Sequence, residues 1–141
     1  MLPRMAKASV ELIEKVPLFS DLDGRELKEI ADSMKERTFN AGDTVTEEGK
    51  GGAGFFVIEE GSAKVSVGGQ DVRTIGAGDY FGEIGLIADI DRTATITAET
   101  DLRCYGMTFW DFRPLVETNA SIAWKLLQAM AQRLKEAEQG R

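Results

Sequence analysis

The chain has 141 residues, 43% of them hydrophobic, enough for one globular domain with a core that needs no disulfide staples. Its 24 acidic residues outnumber 17 basic ones for a net charge of −7, which argues against a nucleic-acid surface built on phosphate contacts. The complete lack of histidine removes the commonest metal ligand and the commonest general base, so a metal-dependent enzyme of the cupin kind is disfavoured and no catalysis is expected. The single cysteine, Cys104, rules out an internal disulfide and suits a reducing compartment; it reads as a small apolar residue inside a strand. MLPRMAKAS at the start is not followed by an apolar run of signal length, and no segment approaches the roughly 18 apolar residues that span a bilayer. A soluble, cytoplasmic protein with no membrane contact is expected.

In chain order, Val10 to Lys15 and Asp23 to Lys35 read as helices, with VPLFSDL a turn between them. The second has Asp23 as N-cap, Glu26 three residues on, and Leu27, Ile30, Ala31 and Met34 along one stripe. From Arg37 to Met107 the pattern changes to short apolar runs separated by glycine: Thr44–Thr46, Gly54–Glu59, Ala63–Val67, Asp71–Ile75, Tyr80–Phe81, Thr93–Ala98 and Leu102–Met107. Short strands at this spacing predict a mainly β domain, a jelly roll or double-stranded β-helix with flanking helices. Gly68-Gly69 between two alternating runs predicts a hairpin of Ala63–Val67 against Asp71–Ile75.

FWDFRPLVE after Thr108 predicts a short helix in which Pro114 is tolerated in a first turn or at a bend. A longer helix follows from Asn119, its N-cap, to Glu138. On it Ala123, Leu127, Met130, Leu134 and Ala137 form one apolar seam, and Ile122, Leu126 and Ala129 a neighbouring strip. Two strips allow the helix to face its own β-roll with one and a partner, such as a second copy, or a ligand with the other; a single broad buried face explains the same pattern. The whole of 1–141 reads as one domain: N-terminal helices to residue 36, a β-roll over 37–108, and C-terminal helices over 109–138.

Within the roll, YFGEIGLIADIDRTATITA (Tyr80 to Ala98) places one carboxylate and one guanidinium on a glycine-punctuated loop between two strand-like runs. Gly82 and Gly85 let backbone pass close to a ligand, and the short IGLI turn can aim N–H groups at a negative charge. Arg92 offers a rigid fork of donors to phosphate oxygens, while ionised Glu83 is acceptor-only and suits a sugar hydroxyl. One phosphate and one ribose are implied. The bland alternative is an exposed Glu83–Arg92 ion pair in an ordinary strand-turn-strand, contributing only ~0–1 kcal/mol.

The run Phe81-Gly82-Glu83, Ile84-Gly85-Leu86-Ile87, then Arg92-Thr93-Ala94-Thr95-Ile96 resembles the phosphate-binding cassette of the cyclic nucleotide-binding domain family. The resemblance implies that Glu83 accepts from the ribose 2′-OH, that Arg92 pairs with the cyclic phosphate, and that Gly82, Gly85, Thr93 and Ala94, with Ile84 between them, supply backbone or hydroxyl donors. It further implies that Val65 and Val72 line the base pocket; plain core packing is the alternative. Asp91 stands where many members carry proline, adding a negative charge beside the phosphate site. Through its hydroxyl oxygen Thr93 can accept from a guanine amino group when the base is syn, yet the resemblance favours cAMP over cGMP. Ala137 and Glu138 stand where the transcription-factor branch uses hydroxyl residues, which implies either looser base reading or base contacts from a different residue such as Arg133.

The function implied is a regulatory sensor domain that needs no cofactor beyond its cAMP or cGMP ligand, couples binding to movement of the C-terminal helix, and acts on an unknown effector that is either a separate partner or part of a longer parent chain. The rival is a β-roll interaction or dimerisation module that binds no nucleotide. A helix-turn-helix regulator is not expected, because only Gly140 and Arg141 follow the last helix.

Overall fold

The computed structural model describes residues 8–49, 54–88 and 92–140. The expectation for Asp91 lies outside the described residues. Helix α1, Val10–Glu14, begins at Ser9, whose hydroxyl accepts from the Leu12 amide at 3.1 Å, and a 3₁₀ turn follows at Pro17–Phe19. Helix α2, Gly24–Ser33, starts in a reciprocal capping box: Asp23 accepts from the Glu26 amide at 2.9 Å and Glu26 accepts from the Asp23 amide at 3.0 Å.

Eight strands follow: β1 Lys35–Phe39, β2 Thr44–Thr46, β3 Phe55–Glu60, β4 Ala63–Val67, β5 Gln70–Ile75, β6 Tyr80–Phe81, β7 Thr95–Ala98 and β8 Leu102–Met107. They form two antiparallel four-stranded sheets in the orders β1-β8-β3-β6 and β2-β7-β4-β5. Strand β1 is a correction, since the sequence reading ran the preceding helix to Lys35 and placed no strand there. KERTF is a sheet edge paired with β8, from Lys35 opposite Gly106 to Phe39 opposite Leu102, and its first four residues are exposed. An edge with no buried face carries no alternating apolar signal.

The hairpin forms as expected, with Gly68 and Gly69 at φ of 60° and 80°, the positive values that a two-residue turn of matching twist requires. Between the sheets lies a core that includes Ile58, Val65, Ile75, Phe81, Ile96 and Cys104. Burial pushes the Cys104 thiol up to about 12, so it stays protonated and serves as packing. Strand β3 alternates, sending Phe55 and Val57 to a second core shared with the helices. There Phe19 meets Phe55 edge-on at 5.7 Å and Phe112 at 6.3 Å.

A one-turn helix α3, Ile84–Ile87, leaves β6; helices α4, Phe109–Glu117, and α5, Ala120–Gln139, close the chain. Helix α4 opens on a capping box between Thr108 and Asp111. Pro114 lies in the helix interior and not in the first turn, the first of the two places in which the sequence allowed it. Its missing N–H leaves the carbonyl of Trp110, a residue 62% exposed, and water can satisfy that group. Asn119 caps α5 as expected. Of the two apolar strips, Ile122, Leu126 and Ala129 are buried, whereas Leu127 and Leu134 are each 62% exposed and Met130 also faces outward. The start of α5 is tied to α2 by an ion pair of Lys125 with Glu26 and a 3.2 Å hydrogen bond from Asn119 Nδ2 to Glu29.

Candidate ligand-binding site

A cavity of about 460 Å³ opens beside the cassette. One end is formed by Gly82, Glu83, Ile84, Arg92, Thr93 and Ala94, and the other by the second sheet, with Val65, Arg73, Ile75 and Ile96; Arg133 reaches it from α5. Three guanidiniums, Arg73, Arg92 and Arg133, face two carboxylates, Asp79 and Glu83, so the wall carries an excess positive charge suited to a monoanion.

Arg92 is half-buried and, among the described residues, has no ion-pair partner. Burial pulls its guanidinium below the ordinary value, a cost that an anion in the cavity would relieve. Its carbonyl accepts from Gly49 at 2.9 Å, which fixes the local backbone. The guanidinium lies across two glycines. A Cβ on Gly82, whose φ is +82°, would fall 2.6 Å from Nη1, and one on Gly54 would fall 3.1 Å from Nη2. At Gly82 both the positive φ and the close approach demand glycine.

Glu83 does not pair with Arg92, so the exposed-pair alternative is set aside. Its Oε1 instead accepts from Arg133 Nη2 at 3.1 Å, a contact that brings α5 onto the cassette. Arg133, expected as a substitute base reader, therefore meets the carboxylate expected to hold the ribose. Tyr80 stands in the same cluster; burial, then the charge of Glu83, raises its phenol, and Arg133 and Arg73 pull the other way.

The structure brings Gly82, Glu83, Ile84, Arg92, Thr93, Ala94 and Val65 to one cavity, and leaves two expected residues off its wall. The Gly85 amide already donates to the Gly82 carbonyl at 2.9 Å, closing the turn that begins α3. Val72 is 57% exposed on the opposite side of β5. Strand side chains alternate, so with Arg73 and Ile75 inward Val72 points out; a bulge there also leaves it without a register partner, since Val65 faces Arg73 and Ser66 faces Asp71. That alternation could have named Arg73 from sequence. Gly54 carried no such signal, because it meets Arg92 only through the tertiary fold.

A model of the cyclic nucleotide-binding domain matches residues 36–119. The chain belongs to the cyclic nucleotide-binding domain family. This cyclic nucleotide-binding domain is 39% identical over 93 residues to a cAMP-dependent protein kinase regulatory subunit of Yarrowia lipolytica, a match covering 64% of this chain and 25% of that one. The domain thus spans about a quarter of that relative's length. Among solved structures it is similar to the N-terminal domain of a transcriptional regulator from Streptomyces coelicolor A3(2), at 30% identity and a TM-score of 0.84, covering 89% of this chain and 94% of that one. It is also similar to cAMP-bound PfPKA-R, at 27% identity and a TM-score of 0.67, covering 92% of this chain and 46% of that one. Among the described residues no helix is long and apolar enough to cross a membrane.

Proposed function

We propose that this domain is a non-catalytic sensor that binds a cyclic mononucleotide, with the cyclic phosphate at Arg92, the ribose 2′-OH at Glu83, and α5 as the element that responds. The carrying observation is the half-buried Arg92, without an anionic partner among the described residues, beside an acceptor-only carboxylate in a cavity with positive excess. The likeness to a cAMP-dependent kinase regulatory subunit and to a cAMP-bound structure supports cAMP as the first ligand to test. Contact between Arg133 and Glu83 supports the coupling, because a ligand that hydrogen-bonds Glu83 must share or displace Arg133, and so makes different contacts in the bound and free states.

Calorimetry with cAMP, cGMP, a cyclic dinucleotide and 5′-AMP tests the reading. Saturable binding of a cyclic mononucleotide is expected, with weaker binding of the others. Glu83→Ala should abolish the preference for cAMP over 2′-deoxy-cAMP while leaving the ligand-free melt in place; unchanged discrimination would refute the ribose role.

The exposed Leu127, Met130 and Leu134 favour a further reading, self-association through α5, which is compatible with nucleotide binding and does not require it.

A further inference from the structure

Gly106 stands inside β8, where a glycine sacrifices side-chain packing and marks the close approach of another group. Here that group is Phe56, its partner across the sheet on β3. A Cβ on Gly106 would fall 2.7 Å from Phe56 Cε1 and 2.9 Å from Cδ1, so one edge of the ring rests on bare β8 backbone. Phe81, stacked at 5.3 Å, and Phe39, edge-on at 6.3 Å, hold the ring from other sides. Its opposite edge points to the cassette cation. The place that a Cβ on Gly54 would take is 3.0 Å from Phe56 Cε2 and 3.1 Å from Arg92 Nη2, so ring and guanidinium close on the same point of the backbone. A side chain at 106 would drive the ring toward that point, and a side chain at 54 would press on both.

A phenyl side chain carries no conventional acceptor, so the donors of Arg92 find no partner on this side. The ring limits where Nη2 can lie and leaves the fork of donors to an anion in the cavity. We infer that Phe56, seated on Gly106, positions the Arg92 guanidinium for the cyclic phosphate, with Gly54 as the gap that lets ring and cation approach. Phe56 does not line the cavity, so it acts through Arg92 and is a positioning residue. This rests on the proposed binding of a cyclic nucleotide with its phosphate at Arg92. A cyclic phosphate has two exocyclic oxygens, and a rigid fork held in one place favours one of them, whereas a cation free to shift serves either.

Dissociation constants of cAMP and of its two phosphorothioate diastereomers, in which sulfur replaces one or the other exocyclic oxygen, test this in the wild type, Phe56→Leu, Gly106→Ala, their combination and Gly54→Ala. The diastereomers carry the same charge, so a general loss of attraction weakens them equally, and a packing defect lowers the ligand-free melt without altering their ratio. The wild type should distinguish them about tenfold, the value of one well-placed hydrogen bond to a charged group. Phe56→Leu and Gly106→Ala should each lose most of that ratio and weaken cAMP, and the combination should be no worse than either alone, because leucine does not reach the space that alanine fills. Gly54→Ala asks its neighbours to give by only a few tenths of an ångström, so it carries the same expectation should the other variants fail to fold. The wild-type ratio retained in folded Phe56→Leu or Gly54→Ala, or a wild type that binds cAMP without distinguishing the diastereomers, would overturn the role of Phe56 and leave the sensor reading intact. A wild type that binds no cyclic nucleotide, or binds it no better than Arg92→Ala, would remove the phosphate assignment and this inference with it.

Discussion

Arg133 Nη2 lies 3.1 Å from Glu83 Oε1, joining the last third of α5 to the first residue after Gly82 in the cassette. The guanidinium is 34% exposed and the carboxylate 17%, so screening by water keeps the pair's contribution to stability to about 1 kcal/mol or less. Its effect should be local. Arg133→Ala should leave the melting temperature nearly unchanged but speed amide exchange in α5 beyond Met130 and blunt the exchange response to added nucleotide. Identical exchange in variant and wild type would mean that the contact does not restrain the helix.

Arg92→Ala should cost roughly 2–5 kcal/mol of nucleotide affinity, because the ligand phosphate would be partly buried without its partner. At ~1.4 kcal/mol per decade the loss is at least tens-fold. The ligand-free protein should melt no lower than the wild type, since removing a half-buried cation that has no ion-pair partner among the described residues relieves a desolvation cost. Titration and melting together separate the two effects, and unchanged affinity in the folded variant would end the phosphate assignment.

Met130→Glu with Leu134→Glu should convert a dimer to a monomer in sedimentation while the circular dichroism of the β-roll persists. Both residues lie on the exposed seam and neither belongs to the buried strip of Ile122, Leu126 and Ala129. A wild type that sediments as a monomer would assign the seam to some other contact.

Glu26 gives a pH dependence. Burial alone would raise its carboxyl, but hydrogen bonds from Lys125, the Asp23 amide and Ser121 outweigh it and hold the group below the ordinary value of 4.5. A depressed folded value means stability present above the unfolded pKa and lost as pH falls through the folded one. The stability difference between wild type and Glu26→Gln should therefore be constant near neutrality and shrink below about pH 4.5, which thermal melts from about pH 7 to pH 3 would read.

Local chemistry made much of this molecule legible. The Asp23–Glu26 box, the Gly68-Gly69 turn and the Asn119 cap are each set by residues within three positions of one another, and each forms as the sequence implies. Met34 prolongs the apolar stripe with no glycine or proline to stop it, so the sequence signal for α2 runs past Ser33 and into β1. Arg133 lies 50 residues from Glu83, and no periodicity on α5 indicates which end of a long arginine side chain finds which carboxylate. Val72 shows the opposite case: alternation along β5 places it on the face away from Arg73 and Ile75, whereas the family resemblance implies a place in the base pocket.

Helix α5 is held at two places of different kind. Near its start, buried Ile122 and Leu126 and the Lys125–Glu26 pair pin it to the N-terminal helices; farther along, Arg133 ties it to the cassette through Glu83. At ~1.5 Å per residue the tether sits about 12 Å from Lys125 and the end at Gln139 about 21 Å. If α5 responds to ligand as proposed, it would act as a lever whose fulcrum lies away from the cavity, and a swing that moves Arg133 by a given amount would move the tip by nearly twice as much. Mechanical advantage of that sort would convert the proposed displacement of one side chain into a stroke that an effector could read.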